Sequence, residues 1–405
     1  MAPLEGLKIF DLTSVVMGPY CTMLLSYMGA DVIKLESLDG DITRSIGPVK
    51  HPGQSGLFIN ANNGKRSIAI DLRNPRGREI CLDIARTSDV FVHSIRPESL
   101  QRLGLEYREI AAANPKIICC NLLGFGRRGR YCGKPAYDDT IQAASGLAML
   151  QAEQQGEPAY LPSVFADKMT GMMAAYAIVA AVIARGRTGT GQEIDVPMFE
   201  TMASCLLVEH ASGATFKPPL GRPLYPRLVS RERRPVATKN GYLSIMVYTD
   251  KQWQGFCTVA GRNDLLADPR FRNITDRTRH TDEYYALVSE IVATRTAEEW
   301  ESLLAQAEVP CMRLNRLDDL AADLHLQDVG FFEEVTDQWG DLLQLPRFPV
   351  ELSGTPARKP TGAPTLGEHT REILGEAGYT YRAIEELIAA GVVGVTDAPE
   401  KKAHV

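Results

Sequence analysis

The sequence predicts an α/β protein in which a parallel sheet carries helices on both faces, with a smaller α+β module in the second half. Three observations carry this reading. Short apolar runs alternate with helix-like stretches through residues 7–122. Two Pro-rich stretches, 216–235 and 346–364, read as crossings between folded parts. Between them the pattern changes to a hairpin followed by helices. Alternating strands and helices call for parallel pairing with crossover helices, and 405 residues leave room for two or three domains.

Taken in order, residues 7–12 are a short apolar strand, 19–28 a helix and 31–35 a second strand, which opens a βαβ unit. Residues 67–71 begin another, followed by a helix from Pro75, where the missing N–H costs nothing, and a strand at 90–93. A strand at 116–122 ends in the loop 124–133. Helices are expected at 139–150 and 168–185, the second stopped by Gly186 and the turn 188–192, with a strand at 193–196. Asn240–Gly241 between apolar runs signals a type I′ hairpin inside a module spanning about residues 222–316. An amphipathic helix is expected at 381–392 and a frayed end at 397–405.

Composition narrows the function. Hydrophobic residues make up 44% and charged residues 23%, enough for a large core, and a net charge of -6 argues against nucleic-acid binding. No signal peptide is visible at the N-terminus. The uncharged run 169–184 is short for a membrane span and apolar on all sides, so it reads as a buried core helix. Eight cysteines show no C-x-x-C pair and read as free thiols, which fits a cytoplasmic location.

A dinucleotide site fails at the first turn. Thr13–Val16, Met17, Gly18 and Pro19 hold one glycine where a pyrophosphate needs close backbone approach. Asp167, ahead of a long apolar run, fits a helix N-cap. Spacing alone favours the cap; the alternative is a partly desolvated nucleophile between Val164–Phe165 and Met169, and the two readings are compatible. Asp138 or Asp139 suits a helix start. Arg127, Arg128, Arg130 and Lys134 form either a solvated face or a phosphate site. The histidines lack metal-ligand spacing, so no metal site is expected, and His93 reads as a satisfied buried histidine.

These residues resemble a known family, the class III acyl-CoA transferases of the formyl-CoA transferase and carnitine CoA-transferase type. The likeness runs through 7–13, Gly18–Pro19, 29–36, 40–44, 63–68, Asp71–Leu72 and 102–105. It continues with Tyr137–Asp138, Gln142, Ser145–Gly146, Asp167, Thr170–Gly171, Arg185, 188–192, 195–198, 309–311 and 364–370. The resemblance implies a Rossmann-like large domain built from both chain ends with a smaller α+β domain inserted, and an interlocked homodimer. The implied division is 1–205 and 346–405 for the large domain, 225–325 for the small one, and linkers at 206–224 and 326–345.

It further implies that Asp167 attacks an acyl-CoA thioester and passes CoA to a small carboxylic acid, with succinyl-CoA as a donor. Acyl-CoA and the acid are then the partners, with no permanently bound cofactor, no nucleic acid and no membrane. The implied CoA contacts are Val15, Val16, Met17, Arg73, Ser94, Ile95, Arg96 and Arg102, with Tyr137 and Asp138 near the thioester. Departures exist: Ser37 replaces a nucleotide-contacting arginine, Ser94–Ile95 replaces an Asn-Phe pair, and no glycine run lies around 230–241, which argues against oxalate. His210, Arg222 and Arg227 are candidates for a second carboxylate. Two alternatives share the fold. An α-methylacyl-CoA racemase needs two bases, and Tyr137 is a poor one at a reference pKa near ~10. A non-catalytic acyl-CoA-binding subunit would not require Asp167.

Overall fold

The computed structural model describes residues 1–396, so the expected frayed end at 397–405 lies outside the described residues. The chain divides into two compact units: Met1–Ser145, Leu161–Ser204 and His325 onward form one, Gly146–Tyr160 and Cys205–Leu324 the other.

The first unit is built on seven strands: β1 (Lys8–Leu12), β2 (Asp31–Glu36), β3 (Arg66–Ile70), β4 (Val90–His93), β5 (Ile118–Leu123), β6 (Gln192–Pro197) and β7 (Val393–Gly394). Their spatial order is β7-β3-β2-β1-β4-β5-β6. All neighbours pair in parallel except β7, which runs antiparallel along β3. Both ends of the sequence therefore enter one sheet. Alternate residues point to opposite faces, so Ile9 and Phe10, or Val32 and Ile33, fall into different cores. Phe10, Ile33 and Ile68 pack with Ile80 and Ile84 of α2 (Pro75–Arg86) and with Leu374 and Leu387 near the C-terminus. Ile9, Val32 and Val92 pack on the other side with Leu25 of α1 (Met17–Tyr27) and Ile178 of α4 (Phe165–Thr188). Each fully buried Ile, Leu or Phe contributes about 1.5–3 kcal/mol. As expected, Pro75 opens α2, and Asn74 caps it by accepting from the Arg76 N–H.

Several expectations need correction. The helix expected at 139–150 is two: α3 (Asp138–Ala144) and a helix at Leu147–Gln155, broken at Gly146, whose φ of 92° no helix tolerates. The long helix passes through Gly186 and ends at Gly189. It is also not buried all round. Ala174, Ile178 and Ala181 face the core, while Met172, Met173, Tyr176 and Ile183 are exposed. Residues 326–345, expected as a linker, carry the strand Phe332–Thr336, which turns back onto Leu342–Pro346.

The second unit packs Trp253, Phe256, Phe271, Tyr284 and Trp300 beneath a three-stranded antiparallel sheet. Its hairpin joins Val236–Thr238 to Gly241–Ile245 through Lys239 and Asn240, neither at positive φ, so the turn is not type I′. Asn240 instead accepts from the Ala297 N–H (2.8 Å) and donates to Glu298 (2.7 Å), tying the turn to a helix start.

Candidate active site

Strand order reverses at β1, so the crevice outside the carboxyl ends of β1 and β4 is where an open α/β sheet binds ligands. The loop after β1 holds Val15 and Val16 and runs into Met17, the first residue of α1, and the loop after β4 holds Ser94, Ile95 and Arg96. The fold brings them together: the Ser14 N–H donates to Ser94 Oγ (3.4 Å). Arg73 lies on the same sheet edge beyond β3, exposed and paired with Asp71 (2.9 Å). Arg102 ends the short helix after β4 and donates to Ser99 (2.9 Å). Ser37, also on this edge, donates to the Gly40 carbonyl (3.4 Å).

Helix packing brings the helix that carries Asp167 against the start of α1. Asp167 sits in the first turn of α4, and one turn later a Cβ on Gly171 would lie 2.6 Å from the Met17 carbonyl oxygen. Only glycine permits that approach, so α4 rests directly on the start of α1. Val164, not Asp167, holds the N-cap position, and the capping expectation for Asp167 fails. The group that satisfies the orphan Asp167 N–H is Asp138, whose Oδ1 accepts it at 3.0 Å. Gln142 fixes Asp138 by donating to Oδ2 (2.6 Å) and is itself held by the Leu161 N–H (2.9 Å).

Two carboxylates thus stand together, Asp138 6% and Asp167 9% exposed. Among the described residues, nothing donates a hydrogen bond to the Asp167 carboxylate. Burial first, and the neighbouring Asp138 charge second, raise its pKa to about 7. The positive end of α4 opposes this, but such a dipole is worth only about 0.3–1 kcal/mol, and burial wins. Tyr137, next to Asp138 in the chain, is 70% exposed.

Beneath the crevice lies a charge network that sequence reasoning did not assign. Asp11 takes Lys65 (3.2 Å), Asp41 takes Lys34 (3.0 Å) and Glu36 takes Arg44 (2.6 Å). Asp41 also accepts from the Val15 N–H (3.2 Å). Val15 stands at φ 70°, rare for a branched residue. The signal was present in the 40–44 match, but nothing in the sequence joins Asp41 to Val15.

Other candidates resolve plainly. Arg127 is taken by Glu193 (2.9 Å) and Asp195 (2.7 Å), and Lys134 lies over the Tyr131 ring. His93 is buried against Asn121 (2.7 Å), with its pKa lowered to about 4 by burial. His51 and Asp341 pair at 2.6 Å near Asp337, but Lys50 at 2.7 Å already supplies that cluster with a cation. In the second unit Arg222 pairs with Glu153 (2.9 Å), and His210 accepts from the Tyr225 N–H (3.2 Å). Arg227 meets Tyr285 Oη (3.1 Å) and faces the Tyr225 and Tyr248 rings, with no acidic partner among the described residues.

The sequence matches the description of CoA-transferase family III over residues 4–370. It is 32% identical over 397 residues to the succinyl-CoA:glutarate CoA-transferase of Mus musculus, covering 97% of this chain and 91% of the relative. It is 31% identical over 392 residues to the succinyl-CoA:mesaconate CoA-transferase of Haloarcula marismortui, covering 93% and 97%. A crystal structure of a CAIB/BAIF family protein from Brucella suis superposes with a TM-score of 0.78 at 30% identity, covering 93% of this chain and 99% of that one. A switch-point crevice and a whole-length sequence match agree: this chain belongs to CoA-transferase family III and is an enzyme acting on CoA thioesters.

Proposed function

We propose that Asp167 is the covalent nucleophile that carries CoA from an acyl-CoA donor to a small carboxylic acid. The observation that carries this is a nearly buried carboxylate, at the head of α4, with neither a cation nor a hydrogen-bond donor on its oxygens among the described residues. A carboxylate stripped of water is more reactive toward a thioester. Ionised Asp167 attacks the thioester carbonyl; a C–O bond forms, the C–S bond breaks, and CoA leaves as thiolate. The thiolate then attacks the aspartyl carbonyl of the mixed anhydride, expels the donor carboxylate and leaves an aspartyl-CoA thioester. An acceptor carboxylate displaces the thiolate to form a second anhydride. Attack of that thiolate on the acceptor's acyl carbon yields the new acyl-CoA and frees Asp167. Each step is a substitution at one carbonyl, and no proton or electron need be supplied.

Val15, Val16, Met17, Ser94 and Ile95 would flank the CoA arm at the switch point, while Arg73, Arg96 and Arg102 would meet its phosphates along the sheet edge. Asp138 would hold the Asp167 backbone and keep the nucleophile's pKa high. The relatives' names support succinyl-CoA as donor and a short dicarboxylate of the glutarate or mesaconate kind as acceptor. The exposed apolar face of α4 supports a homodimer, since Met172, Met173, Tyr176 and Ile183 would otherwise meet water; the interlocked form follows the resemblance. Eight unpaired cysteines support a reducing, cytoplasmic setting.

The test is trapping. During turnover with succinyl-CoA, the peptide containing Asp167 should gain the mass of CoA less one water, and hydroxylamine should convert it to a hydroxamate. An unmodified Asp167 with full transfer activity ends the proposal. Solvent deuterium should not enter the α-carbon of a bound acyl-CoA; its entry would favour the racemase reading. Light scattering should give twice the chain mass.

A further inference from the structure

We infer that Asp41 is a positioning residue, which holds Val15 in an unfavourable backbone conformation and thereby shapes the wall that CoA meets. The inference rests on the reading of Val15, Val16 and Met17 as CoA contacts. Val15 has φ 70°, in the left-handed region, where a branched side chain crowds its own backbone. Such a residue reverts to ordinary geometry unless the surroundings over-determine it.

The surroundings here are specific. Lys34 Nζ donates to the Thr13 carbonyl (2.9 Å) and to Asp41 Oδ2 (3.0 Å). The same Asp41 carboxylate accepts from the Val15 N–H at 3.2 and 3.4 Å. One buried ion pair therefore grips the backbone on both sides of Ser14. Asp41 cannot swing away, because Thr43 donates to it from both N (2.9 Å) and Oγ1 (2.8 Å). Its own N–H is tied to Glu36 (3.0 Å). Burial alone would push the Asp41 carboxyl up, but Lys34 and Thr43 hold it below the usual carboxylate range, so it stays an anion. The segment so held runs directly into α1, whose first turn carries the Met17 carbonyl against Gly171.

A double-mutant cycle on the full-length enzyme tests this, read by calorimetric CoA binding and by the KM and kcat of transfer. In the natural background, Asp41→Asn should weaken CoA binding and raise KM for acyl-CoA about tenfold, with kcat within about twofold. Glycine is at ease at φ 70°, so in a Val15→Gly background the same change should shift CoA binding by less than about twofold. Equal losses in both backgrounds would make Asp41 a general structural residue and overturn the inference. Should Asp41→Asn not fold, Asp41→Glu keeps a charge opposite Lys34 while displacing the carboxylate, and the same outcomes are read from it. Val16→Asp separates the two layers of the argument. If it abolishes CoA binding while Asp41→Asn changes nothing, the latch is wrong and the crevice reading stands. If Val16→Asp leaves CoA binding intact, the crevice reading fails and takes the latch with it.

Discussion

Asp167 and the trio Asp11, Glu36 and Asp41 are all nearly buried, yet burial has opposite outcomes for them. Each of the trio meets a lysine or arginine; although burial is the largest influence on each, the cations and nearby hydroxyls or backbone N–H groups outweigh it, and their pKa values fall below ordinary carboxylate values. For Asp167 the neighbouring charge is another carboxylate, Asp138, and its pKa rises to about 7. Desolvation is common to both regions; the partner decides. The first arrangement yields permanent anions that hold a scaffold, the second an acid that ionises near neutral pH.

The sharpest way to break this contrast is Asp167→Ala, which should reduce CoA transfer at least about 10³-fold while CoA still binds by calorimetry. Next in size, Glu36→Ala strands Arg44 in the interior and should cost about 3–5 kcal/mol in denaturant unfolding. A loss below about 1 kcal/mol would mean the pair is not truly buried. Asp167→Asn should do the reverse. A raised pKa means that the fold favours the protonated acid, so this contribution is complete below the unfolded value and is lost as pH rises through about 7. The variant should therefore gain about 1–3 kcal/mol over the natural protein at about pH 8.5, about a third of that at about pH 5, and nothing below about pH 3.5. Equal gains across that range would show that charge is not the cause. Smallest of all, the natural enzyme's rate should rise about tenfold per pH unit below about 7 and level off above it. Asp138→Asn, by removing the opposing charge, should move that bend down by about one unit.

The contrast was only half legible in the sequence. The strands to residue 123 and the Asp167 match stand out because local apolar runs and a helix start are properties of neighbouring residues. The break at Gly146 was missed because Ala, Leu and Gln surround it with good helix formers, and only the glycine's φ of 92° reveals the turn. Lys34 and Asp41 were invisible as a pair: a lysine inside an apolar strand reads as an edge residue until the fold delivers its partner. Asp138 looked like a cap for its own helix and caps another, 29 residues onward. The exposed Met and Tyr face of α4 was hidden because an apolar composition reports how much surface seeks cover, not what covers it.

The glycine contact between α4 and α1 carries a mechanical consequence. With no side chain to act as a bearing, the two helices interlock backbone against backbone and have no room to slide. Any tilt of α1 must carry Asp167 with it. On the proposed assignment of Asp167 and of Val15, Val16 and Met17, grip and attack would be one rigid lever, with no realignment needed after the substrate has seated.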